Sequence, residues 1–79
     1  MADALELILW VKPDCDACER ARELMASLSA AMLFDWSEQE GEFGDAVPVV
    51  ATADGRVLAQ APIRPGDLVD AIVAATARD

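Results

Sequence analysis

Three features of this 79-residue chain predict a single α/β domain with a mixed four-stranded sheet covered by helices. An apolar run, a stretch of helical period and a second apolar run follow one another, which makes a β-α-β unit. An Asp-Gly dipeptide separates two short apolar segments, which makes a hairpin. A Pro-Gly-Asp start opens a final amphipathic segment, which makes a helix. The predicted order is β-α-β, a loop, then β-β-α.

Leu5 to Val11, LELILWV, is short, apolar and carries one charge, as a buried strand does. Lys12-Pro13 ends it. From Asp16 to about Ser29, Ala17, Ala21, Leu24, Met25 and Leu28 recur at steps of three and four, with Glu19, Arg20 and Glu23 opposite. Asp14 is the expected N-cap, which would put Cys15 in the first helical turn. Residues 30–36, AAMLFDW, read as the second strand, joined to the first by a right-handed parallel crossover. Residues 35–45 hold five acids, no bases and two glycines. They read as a surface loop with at most one or two helical turns, alternatively as a docking site for a basic partner. Val47 to Thr52 and Arg56 to Ala61 flank Asp54-Gly55, a two-residue turn signal. In the last helix Pro65 suits the first position and Asp67 the first turn, and Leu68, Val69, Ile72, Val73 and Thr76 form the stripe expected to face the sheet. Trp10 and Trp36, at the ends of the two predicted parallel strands, read as core or rim packing, with a substrate platform as the alternative.

Composition narrows the function. Apolar residues make up 54% of the chain, enough for a packed core. No apolar run nears the roughly 20 residues that span a bilayer, and the acidic start does not resemble a signal peptide, so a cytoplasmic location is expected. The net charge of −9 disfavours nucleic acid and anionic membrane surfaces, and suits a partner with a basic face or simply solubility. Histidine and tyrosine are absent, which removes Ser-His-Asp and Cys-His chemistry and His-ligated metals. What remains is thiols and carboxylates.

The only two cysteines, Cys15 and Cys18, stand in PDCDAC at the strand–helix junction. Thiol–disulfide exchange needs one accessible thiol with a usable thiolate fraction and a second close enough to resolve the mixed disulfide. A helix start favours the thiolate through its free N–H groups and dipole, so Cys15 would attack and Cys18, one turn later and more buried, would resolve. Lys12 favours the thiolate; Asp14 and Asp16 oppose it. A reductant is expected, with a potential of roughly −200 to −270 mV. Two other readings stay open. Inert core cysteines fit poorly between two aspartates. Metal binding lacks the usual four ligands unless two chains combine.

KPDCDAC resembles the active-site stretch of glutaredoxins, AVPVV (residues 46–50) resembles the cis-proline motif of the thioredoxin superfamily, and PGDLVDAIV resembles its last helix. The resemblance is to small glutaredoxin-like members of that superfamily, with the second helix shortened or missing, and it spans nearly the whole chain. It implies a cis Pro48 beside Cys15, with the Val47 backbone turned outward to pair with an extended substrate. The alternative for Pro48 is an ordinary trans proline at a strand start. It also implies Lys12 on a glutathione carboxylate and Asp67 facing the glutathione amine; a plain surface lysine and helix-dipole complementarity are the alternatives. Ala17 replaces the aromatic residue common inside the glutaredoxin motif, and Leu9 stands where thioredoxins keep a buried acid. The implied activity is a monomeric oxidoreductase with no bound cofactor and no metal, acting on protein disulfides or glutathione mixed disulfides, with a reductase or glutathione as electron donor. A non-catalytic adaptor and a dimeric metal or iron–sulfur carrier through Cys15 and Cys18 are the competing readings.

Overall fold

β1, Glu6–Val11, lies inside the sheet and sets its order. The computed structural model describes residues 5–32, 34–41 and 43–77. Of the residues read above, Met1 to Ala4, Leu33 and Glu42 lie outside these. After β1 come α1 (Asp16–Met32), β2 (Asp35–Glu40), a 3-10 turn (Gly44–Ala46), β3 (Val49–Thr52), β4 (Val57–Gln60) and α2 (Pro65–Ala77). The four strands form one mixed sheet in the order β2-β1-β3-β4. β1 pairs parallel with β2, from Glu6–Asp35 to Val11–Glu40, and antiparallel with β3, from Leu7–Thr52 to Trp10–Val49.

Alternation along β1 sorts its two faces. Leu7, Leu9 and Val11 are buried and share a core with Val50, with Cys18, Ala21 and Met25 of α1, and with Leu68 and Ile72 of α2. Both helices therefore supply one apolar cluster over the sheet. On the alternate positions Ile8 and Trp10 are half-buried, and the Trp10 ring meets Phe43 edge-on at 5.5 Å. β3 is buried along its whole length, as an interior strand should be. Three residues read as facing the core are exposed instead: Ala17 of α1, and Val73, at 53% exposure, and Thr76 of α2, while Ala75 turns in.

The second strand is displaced from its predicted place. Residues 30–32 extend α1, and β2 is DWSEQE, which covers half of the segment read as an acidic loop. β2 is an edge strand with five of its six residues exposed, so it lacks the apolar alternation that marks a half-buried strand. Its charged side chains are what protects an open sheet edge from pairing with another chain. Trp36 consequently sits near the start of its strand, opposite Leu7. Arg22 of α1 bonds Glu38 of β2 at 2.7 Å and ties helix to edge.

The hairpin also differs in detail. The Gly55 N–H donates to the Thr52 carbonyl at 3.0 Å and the Thr52 N–H to the Arg56 carbonyl at 2.8 Å, so three residues, Ala53 to Gly55, make the connection instead of two. Gly55 takes a φ of +100°, which closes such a loop. The pairs Val50–Ala59 and Ala51–Val57 leave Leu58 as an extra residue in β4, a bulge. The Thr52 hydroxyl donates to the Asp54 carboxylate and accepts from the Arg56 N–H at 2.9 Å. The Thr52 hydroxyl and then the Arg56 N–H hold the Asp54 carboxyl below its ordinary range. A depressed carboxyl stabilises the fold above its unfolded-state pKa and loses that contribution as pH falls through the folded-state value. Asp54→Asn should therefore melt below the parent at pH 7, and the difference should vanish under strong acid. A gap in melting temperature that stayed constant from pH 7 to pH 2 would refute the assignment.

Candidate active site

β1 runs directly into the cysteine segment. Asp14 takes the left-handed conformation, φ +56°, which Asp tolerates better than most residues. This turns the chain so that α1 begins at Asp16 and Cys15 becomes the capping residue. The expected cap, Asp14, is corrected here, because a capping residue takes extended backbone angles and Asp14 does not. The Cys15 carbonyl accepts the Glu19 N–H at 3.1 Å, and Cys15 Sγ accepts the Cys18 N–H at 3.1 Å. The sulfur thus does the work of a capping oxygen. Reduced, the same sulfur would meet a backbone donor and the positive end of α1, both favouring thiolate. Asp16 and Glu19, the acids of the first turn, favour the helix and oppose that thiolate.

Cys15 and Cys18 are joined by a disulfide with Cα atoms 5.1 Å apart. Their environments differ. Cys18 is 1% exposed within the core cluster, while Cys15 is half-buried at its margin. Cys15 opens onto a polar groove of about 310 Å³ shared with Lys12, Glu19, Arg22 and Glu40.

The other candidate residues are distributed around this point. Lys12 lines the Cys15 groove. The Val47–Pro48 bond is cis. Pro48 is buried and lines a separate, apolar groove of about 380 Å³ with Ala17, Leu24, Pro62 and Ile63; it is not among the residues that line the Cys15 groove. The Pro48 carbonyl accepts the Ala61 N–H at 2.9 Å. Val47 is 6% exposed and belongs to the same core as Cys18. Among the described residues, its backbone groups take no part in the hydrogen bonds outside the helices and strands. Asp67 lines a third depression, with Arg64 and the β4 residues, apart from the groove that Lys12 lines. Two features were not anticipated. The Ala61–Pro62 bond is also cis. Glu19, Arg22, Glu38 and Glu40 line the same groove as the disulfide, and the first two stand four and seven residues beyond Cys15, one helical face that the spacing alone could have revealed.

No family model, no curated protein and no solved structure matches this chain. No helix among the described residues is long and apolar enough to cross a membrane.

Proposed function

We propose that the protein is a small thiol–disulfide oxidoreductase of thioredoxin-like, glutaredoxin-like type that reduces disulfides in the cytoplasm. One observation carries the reading: a disulfide between a half-buried cysteine capping a helix and a buried cysteine one turn on, opening onto a groove. That asymmetry supports the division of roles. The Cys15 thiolate attacks one sulfur of the substrate disulfide, and the other leaves as a thiolate and takes a proton. The Cys18 thiolate then attacks Cys15 Sγ, breaks the mixed disulfide and releases the second substrate thiol. The dithiol ends oxidised and the substrate reduced by two electrons. A cellular reductase or glutathione would restore the dithiol. Pro48 and the Val47 backbone would align an extended substrate, Lys12 would contact it from the Cys15 groove, and Asp67, in its separate depression, would act only on a larger substrate.

Reduction of hydroxyethyl disulfide or insulin, measured above the thiol background, tests the activity. Turnover is expected, together with a midpoint potential of roughly −200 to −270 mV. Absence of turnover, or zinc or a chromophore in the purified protein, would point to the adaptor or the metal carrier. A potential near −120 mV would identify an oxidant.

A further inference from the structure

We propose that the site takes cationic substrates: polypeptide disulfides with Lys or Arg beside the cystine, in preference to anionic ones such as oxidised glutathione. This rests on the thiol–disulfide reading above and narrows its substrate class.

Two elements bring carboxylates to the reacting sulfur. At the start of α1, the capping Cys15 and Glu19 stand four residues apart and line the same groove. From β2, Glu38 and Glu40 alternate onto one side of the strand, the side that Glu38 uses to reach Arg22. Asp14 completes the rim. The groove thus holds four carboxylates against two cations, Lys12 and Arg22. Glu38 already commits the Arg22 guanidinium at 2.7 Å. Asp14, Glu19 and Glu40 are exposed, so their carboxylates are open to an incoming substrate.

The consequence is kinetic. A glutathione disulfide brings carboxylates to a groove already rich in them, and like charges at close range disfavour the encounter complex. A Lys or Arg beside the substrate cystine reverses the sign of the same interaction. It also shields the Cys15 thiolate from Asp14 and Asp16. The net charge of −9 extends the preference to long range, because a field of one sign raises the encounter rate of oppositely charged partners.

The test uses three peptides that share one internal cystine and differ only in its neighbours, which are Lys, Gln or Glu. Rates are normalised to those with dithiothreitol, which removes intrinsic differences in disulfide reactivity. Hydroxyethyl disulfide is the neutral reference. At low salt, kcat/KM for the Lys peptide should exceed that for the Glu peptide by about tenfold or more. The ratio should shrink towards one in about 1 M salt, where screening acts within roughly 3 Å. It should also fall in the double variant Glu19→Gln/Glu40→Gln, a readout that does not depend on the variant's overall rate. A Lys-to-Glu ratio within about twofold of one, with hydroxyethyl disulfide still reduced, would overturn the substrate preference and leave the oxidoreductase standing. Failure to reduce hydroxyethyl disulfide at all would overturn both.

Discussion

Cys15→Ser is expected to abolish disulfide reduction, with a loss on the order of a thousandfold or more, because a hydroxyl at this position is neither ionised near neutral pH nor able to form the mixed disulfide. Cys18→Ser should fail differently. Its Cys15 still attacks, but no internal sulfur releases the product, so a covalent adduct with the substrate accumulates to one per chain and disappears on adding dithiothreitol. The positions of the two sulfurs predict this contrast, since Cys15 is half-buried on an open groove and Cys18 lies at 1% exposure beneath it. Mass spectrometry of both variants after exposure to a cystine peptide distinguishes the two. A stable adduct on Cys15→Ser but not on Cys18→Ser would reverse the assignment. A cellular role left intact by Cys15→Ser would favour a binding protein.

Leu9→Ala should cost about 2–5 kcal/mol of stability. Leu9 is fully buried, at the middle of the interior strand β1, and faces the core that both helices build. Truncation removes its transfer free energy and leaves a cavity among residues held by the sheet. For a chain of this length the whole folding free energy is roughly 4–12 kcal/mol, so the substitution removes much of it and should lower Tm by roughly 10 °C or more. Val73→Ala is the control. Its side chain is 53% exposed, so its effect should stay within about 0.5 kcal/mol. Comparable losses in the two variants, measured by denaturant unfolding, would refute the description of the core.

The parts of the fold with a buried, periodic signal were legible in the sequence. β1 announces itself as an apolar run, α1 by steps of three and four, and α2 by its Pro-Gly-Asp start. β2 was not legible, because an edge strand exposed along nearly its whole length shows no apolar alternation. The apolar AAM that would have begun it continues α1 instead. That displacement hid half of the groove, since Glu38 and Glu40 reach the cysteines only when residues 35–40 form a strand beside β1. The cysteine pair itself stood out from spacing and context. Its cap did not: an aspartate before a helix is the ordinary cap, and only the positive φ of Asp14 passes the position to Cys15. Val73 and Thr76 were misplaced by a stripe drawn too wide, with Leu68, Ile72 and Ala75 forming the face that is in fact buried.

The most direct test is alkylation of the fully reduced protein by limiting iodoacetamide, with the modified cysteine located by peptide mass mapping across pH 5 to 9. Cys15 should react first at every pH, faster than a free cysteine peptide at pH 6, while Cys18 stays protected until the protein unfolds. Equal labelling of both thiols, or preferential labelling of Cys18, would contradict the division of labour on which the proposed chemistry depends.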